Sequence, residues 1–305
     1  MKFFENITKK MAASGCEEEI RSYLKECLPG FDIFTDAHGS LIAHKSGKGE
    51  AKMLVTSLDL PTLFTTHIEK NGFVRFCSNG IDKEVLRGAK VRFCDGAKGV
   101  VYSEKDAAVT QMYIDTGNKK DVLPAEPVMI DSNLERIGNM LTGFCSGNYA
   151  CIRSVTDVAN MVEDINLYVV FLAKTINKIP SFGFMKDIEK ISEIYVIDKS
   201  CANDTPDQDT KIIKMGGGAV IRIMDKSMVS SKRLVDKAVA VSRDIKVQRE
   251  VSEKRTTLSA IHTAYTGTES IYFGVPVRYE GEMCESVSLT DIGELTKLII
   301  LNLEV

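Results

Sequence analysis

Two aspartates stand where α/β sheets carry their chemistry. Asp59 closes the run Lys52-Met-Leu-Val-Thr-Ser-Leu-Asp59, and Asp198 closes Ile194-Tyr-Val-Ile-Asp198. Both runs read as strands, and functional groups collect at the carboxyl ends of such strands. Two carboxylates brought together there could hold a metal ion, and Cys201 and Asp204 follow closely enough to join Asp59 and Asp198 in one site. The plainer reading keeps both aspartates as hydrogen-bonded residues at the ends of strands, and the sequence favours it.

The remaining candidates are weaker. His262 lies on a helix-like stretch, as a satisfied or half-exposed side chain, while His38 falls in a turn, His44 ends a strand and His67 begins a β-rich segment. None stands beside a Ser or Cys that it could activate. Lys214-Met-Gly-Gly-Gly218 is rich in glycine but lacks the Gly-Lys-Ser/Thr ending that places a lysine and a hydroxyl at phosphates. Lys232, Arg233, Lys237 and Arg243 read as a solvated helix face.

The elements that would position these residues form an α/β pattern with an interruption. Ile7, Met11, Ile20, Leu24 and Cys27 have helical spacing, and Ser14-Gly-Cys-Glu17 reads as a capping box opening a second helix. A strand meander follows, Asp32–Thr35, Ser40–Lys45 and Lys52–Leu58, with turns at Asp36-Ala-His-Gly39 and Ser46-Gly-Lys-Gly49. From Pro61 to about Asp131, turns at Asn71-Gly72, Asn79-Gly80, Asp95-Gly96 and Thr116-Gly117 break short β segments, which points to a small barrel or sandwich. The α/β pattern then resumes. Helices are expected over Tyr149–Met161, Phe182–Ile191, Ser231–Arg243, Leu258–Tyr265 and Leu289–Leu303. Strands are expected over Leu167–Leu172, up to Asp198, and over Ala219–Met224, Lys246–Gln248 and Ser270–Val277.

Composition narrows the function classes. The 305 residues are 44% hydrophobic and 27% charged, with a net charge of -3, which offers no field for nucleic acid. No signal-peptide core or membrane-length apolar run occurs, so a cytoplasmic protein is expected. Eight cysteines without a Cys-x-x-Cys pair suggest reduced thiols, mostly buried as small hydrophobes.

Ten short frames fall in the order of a known family: Ala13-Ser-Gly-Cys-Glu17, Asp36-x-x-Gly39, Ser57-Leu-Asp59, Glu69–Phe76, Tyr113–Gly117, Tyr195–Asp198, Asp204-Thr-Pro206, Lys214–Gly218, Gly274-Val-Pro-Val-Arg-Tyr279 and the closing helix. In this the chain resembles the dinuclear-metal aminopeptidases of peptidase family forty-two, which include glutamyl and TET aminopeptidases and relatives named endoglucanases. The resemblance implies a zinc-aminopeptidase-like mixed sheet with helices on both faces, over residues 1–62 and 135–305, interrupted by a PDZ-like dimerisation-type barrel over 63–134. It also implies zinc or cobalt as the only expected metals, assembly into dimers or larger homo-oligomers, and peptide as substrate.

Carried over residue by residue, that resemblance implies the loss of its chemistry. The first histidine ligand falls on Ser57, the bridging aspartate on Ser146 or Gly147, the Glu-Glu pair on Thr175 (the general-base position) and Ile176, and the last histidine on Gly281. No Asp or Glu lies between Ile165 and Lys186. Asp198 alone keeps a ligand position, beside the orienting Asp59, and one carboxylate cannot assemble a metal site. Cys145 and Cys151, flanking the lost bridging position, are expected to be packing residues. No cofactor is therefore expected. The resulting expectation is a non-catalytic homologue with a binding or assembly role, accepting a peptide or small ligand, with an active paralogue as a candidate partner. Its cleft is expected to be lined by Cys201, Asp204, His262, Arg278 and Tyr279. The alternative is a metal-dependent aminopeptidase or other hydrolase with a rearranged site.

Overall fold

The computed structural model describes residues 1–104, 108–117, 121–206, 212–264 and 267–305. Helices α1 (Lys2–Ile7) and α2 (Glu18–Glu26) open the chain, followed by β1 (Asp32–Thr35), β2 (Leu41–Lys45) and β3 (Lys48–Ser57). The expected capping box does not form. Glu17 is the N-cap without a side-chain cap bond, and the Ser14 hydroxyl donates instead to Asp59. A local pattern has lost to a buried carboxylate 45 residues away.

The chain then leaves the sheet for a closed barrel built from β4 (Thr62–Ile68), β5 (Val74–Asn79), the single-turn α3 (Lys83–Leu86), β6 (Lys90–Phe93), β7 (Lys98–Tyr102), β8 (Tyr113–Asp115) and β9 (Pro127–Ile130). Alternate residues such as Val74 and Phe76, or Val91 and Phe93, fill its interior. Its buried side chains join the same apolar cluster as those of the main sheet.

After the barrel come β10 (Glu135–Ile137), β11 (Met140–Thr142), α4 (Ser146–Met161), β12 (Ile165–Leu172), β13 (Ile191–Cys201), β14 (Ala219–Met224), α5 (Lys232–Val241), β15 (Val247–Val251), β16 (Glu269–Arg278), β17 (Ser286–Ser288) and α6 (Leu289–Leu303). The mixed sheet runs β1-β2-β12-β3-β13-β16-β17-β11-β10, with β14 and β15 branching from β16. The early strands are thus no simple meander, because β12 inserts between β2 and β3.

Both faces of the sheet are buried, and the strands show it by alternation. On β12, Leu167, Val169 and Phe171 enter one apolar cluster while Tyr168, Val170 and Leu172 enter the other. Helices α4 and α6 pack on the first face. The second is covered largely by 3₁₀ turns at Gly183–Lys186 and Leu258–Thr263. Longer helices were expected in both places. In the first, Pro180 and Gly183 limit the helix, and residues from Ile191 are drawn into β13. In the second, the expected last residue, Tyr265, lies outside the described residues.

Two further expectations are corrected. Only Cys145 and Cys151 are buried, whereas Cys77, Cys94 and Cys284 are exposed and the other three half-buried. Lys237 is not solvated: with Arg233 it bonds the buried Glu193, at 3.1 and 2.9 Å. The Lys214–Gly218 glycines form a turn whose Gly216 and Gly218 amides donate to the buried Asp291 at the start of α6, which accounts for the motif without a phosphate. No helix among the described residues is long and apolar enough to cross a membrane.

Candidate functional site

The two aspartates that the sequence singles out have different surroundings. Asp59 lies two residues past β3 and is fully buried. Its Oδ1 accepts from the Thr175 amide at 2.8 Å and the Thr175 hydroxyl at 2.6 Å, and its Oδ2 from the Ile176 amide at 3.1 Å and from Ser14. Ser57 and Thr175 also share a hydrogen bond between hydroxyls. All these groups fix the loop after β12 against the end of β3, so the carboxylate of Asp59 is fully used in holding structure.

Asp198 does not end its strand. β13 continues to Cys201 because pairing with β16 runs on as far as Cys201 opposite Val277. Asp198 lines a cleft of about 400 Å³ with Ser57, Thr175, Ile176 and Cys201. Among the described residues its carboxylate accepts only from the Lys199 amide, at 2.8 Å. Burial pushes its pKa up to about 6, a rise that the Lys199 amide and the charges of Lys199 and Arg222 only partly oppose.

The cleft is built around two cations that sequence motifs did not reveal. The stem of Lys199 lies across Gly147, where an added Cβ would meet Lys199 Cδ at 3.2 Å, Lys199 Cβ at 3.3 Å and Val277 Cγ2 at 2.7 Å. Lys199 Nζ reaches Glu285 Oε1 at 2.9 Å. Buried Glu285 also accepts from the Gly281 amide at 2.9 Å and, through Oε2, from the Gly147 amide at 3.3 Å in the first turn of α4. Burial alone would lower the Lys199 pKa, but the carboxylates of Glu285 and Glu280 outweigh it and hold the amine protonated.

Arg222, on β14, is the second cation. Its guanidinium lies 3.7 Å from the centre of the Tyr272 ring, and it donates to Glu250 at 2.6 Å, Thr256 at 2.8 Å and Ser200 at 3.2 Å. Lys254 pairs with Glu280 at the rim. Asn148 lines the cleft, nine-tenths buried, and among the described residues its Oδ1 has no hydrogen-bond partner; neither has the hydroxyl of buried Ser146.

Of the five residues expected to line the cleft, Cys201 alone does so. Arg278 and Asp204 are absorbed by each other in a bidentate pair at 2.8 and 2.6 Å. Tyr279, at a positive φ of 60°, is half exposed in the turn after β16, and Gly281 lies exposed in the same turn. His262 faces a different cleft, and its Nδ1 bonds the Ser259 carbonyl at 2.6 Å. The four-member site of Asp59, Asp198, Asp204 and Cys201 does not form, since Asp59 and Asp204 are committed elsewhere.

The fold has counterparts among known proteins. The model of the M42 glutamyl aminopeptidase family matches residues 39–298. This chain belongs to that family. A protein of Acetivibrio thermocellus, provisionally named an aminopeptidase, is 28% identical over 97% of this chain and 96% of its own. An aminopeptidase of the archaeon Desulfurococcus kamchatkensis shares the fold with a TM-score of 0.92 at 19% identity, over 99% of this chain and 94% of that one. The TET1 peptidase of Pyrococcus horikoshii, which can assemble into a tetrahedron or a large octahedral shell, aligns with a TM-score of 0.82 at 22% identity, over 99% and 98%.

A pair of metal ions would need several carboxylate or imidazole donors converging on one point. Among the described residues no three His, Cys, Asp or Glu side chains do so. The stem of Lys199 covers Gly147, and Asp59 has no lone pair to spare. The residues present do not fit such a centre.

Proposed function

We propose that this chain is a non-catalytic member of its family, which keeps the peptidase fold and uses it for binding or assembly. One observation carries this reading: Lys199 and Glu285 form a buried ion pair over Gly147, one of the two positions to which the bridging carboxylate maps. Positive charge is supplied there by a tethered ammonium. Ser57 and Thr175, at the first-histidine and general-base positions, face each other as hydroxyls and help to hold Asp59. Ile176 offers the cleft a hydrocarbon side chain where a ligand would be needed. Within this reading residues 63–134 are the inserted domain, and the protein is a cytoplasmic homo-oligomer, an inference supported by the assemblies of the TET1 relative. A peptide or another small molecule is its ligand, and an active paralogue is a natural partner.

Metal content and turnover, measured together, test the proposal. Protein purified without chelator should carry far less than one equivalent of metal, should stay folded in EDTA, and should not hydrolyse aminoacyl p-nitroanilides with added Co²⁺ or Zn²⁺. Stoichiometric metal accompanied by turnover would overturn it in favour of a hydrolase with a rearranged site.

A further inference from the structure

A second cleft, of about 510 Å³, opens on the far side of Arg255, Thr256 and Thr257, which line both cavities. One wall is the loop after β12, where Lys178, Ile179 and Phe182 face the space; the other carries Lys226, Arg255 and His262. This volume is that of a small-molecule site.

Its electrostatics differ from those of the first cleft. There, Lys199, Arg222 and Lys254 each have a carboxylate, in Glu285, Glu250 and Glu280. In the second cleft no carboxylate is found among the described lining residues, and Lys178, Lys226 and Arg255 form no ion pair among the described residues. Asp225, next to Lys226, is buried and turned inward, where it accepts from Arg222, Ser259 and the amides of Ser227 and Met228. Uncompensated like charges in a concave surface repel one another, and they focus a positive potential into the space between them.

The walls are held in place independently of any ligand. Ile179 is pinned through its carbonyl, 2.9 Å from His38 Nε2, and Asn177 bonds Asn79 of the barrel at 3.2 Å. On the other wall, Thr256 accepts from Arg222, which lines the first cleft. Ile179 nevertheless leaves 60% of its surface exposed, so a fixed apolar patch lies beside the cations. A pre-formed site of this kind pays little ordering entropy on binding.

We propose that this second cleft binds a small organic anion, a carboxylate or phosphate ester, whose charged group meets Lys226, Arg255 and Lys178 and whose apolar part lies on Ile179 and Phe182. The site does not depend on the absence of catalysis in the first cleft, so the metal and turnover measurements leave it untouched.

Calorimetric titration at low ionic strength with phenyl phosphate, phenylacetate, inorganic phosphate and benzyl alcohol tests the proposal. One or both aromatic anions should saturate a single site, inorganic phosphate should bind more weakly, and benzyl alcohol should not bind; the tighter anion identifies the head group. Lys226→Glu and Arg255→Glu should each weaken binding at least about tenfold, with the milder Lys226→Gln/Arg255→Gln variant following in the same direction. Lys70→Glu, at an exposed barrel turn, should leave binding unchanged. The melting temperature of each variant verifies folding. The site is disproved if neither anion saturates by about 10 mM, if benzyl alcohol binds as well, or if the reversals in the cleft do no more than Lys70→Glu.

Discussion

Asp59, two residues past β3, and Asp198, inside the neighbouring parallel strand β13, lie near the same end of the sheet, yet one is structural and the other is nearly unpartnered. Asp59 accepts from Ser14, from the amide and hydroxyl of Thr175 and from the Ile176 amide, and so ties together the loop after β12, the end of β3 and the segment before α2. Asp198 has one backbone amide and the partial influence of the charges of Lys199 and Arg222. The difference lies in the number of donors that surround each carboxylate. A buried carboxylate stabilises a fold only when its lone pairs are filled, and it costs free energy when they are not.

Replacement of Asp59 by alanine should have the largest effect, because it strands the amides of Thr175 and Ile176 in the interior. A loss of about 4 kcal/mol in urea unfolding is expected, with Asp59→Asn recovering part of it. An effect below about 1 kcal/mol would erase the contrast between the two aspartates.

Lys199→Met comes next. It leaves Glu285 as an uncompensated buried charge and should cost about 3 kcal/mol, much of it recovered when Glu285→Gln is added. Additive losses in the double variant would mean that the pair is not coupled.

Asp198→Asn should give the smallest effect, of opposite sign. A native pKa of about 6 lies above the unfolded value of roughly 3.9, so between those values the native state holds a proton that the unfolded state has lost. Wild-type stability therefore falls as pH rises through this window and levels off above it. The substitution would remove that slope, with no change near pH 4 and a gain on the order of 1 kcal/mol at pH 8, reduced by partial exposure to solvent. Destabilisation at pH 8 would show that the ionised carboxylate is wanted in the fold.

Much of the architecture was legible in the sequence because it follows from local signals. The Asn-Gly and Asp-Gly turns marked the barrel, and the unbroken apolar run Leu167–Leu172 marked a buried strand. The failures occurred where distant groups compete with local pattern. Ser14-x-x-Glu17 fits a capping box, but Asp59 takes the serine. Phe182–Ile191 has helical spacing, yet its end belongs to β13. At the site, the sequence singled out the aspartates but not the groups around them. Lys199 and Glu285 stand 86 residues apart and belong to no motif, so only the fold reveals the pair. Arg222, Glu250 and Thr256 likewise meet only because β14, β15 and the segment beyond converge on Tyr272 of β16. Arg278 and Asp204, expected at the cleft, satisfy each other instead.

The contact of Lys199 with Gly147 also has a historical consequence. Any side chain at position 147 would put a Cβ within 2.7 Å of Val277 and against the lysine stem. A carboxylate could enter there only if Val277 moved and the lysine stem gave way by a few tenths of an ångström, and shortening residue 199 to make room would strand Glu285. Each single step toward an acidic residue at 147 therefore passes through a less stable protein. The lysine thus acts as a steric and electrostatic ratchet against an acidic side chain at position 147.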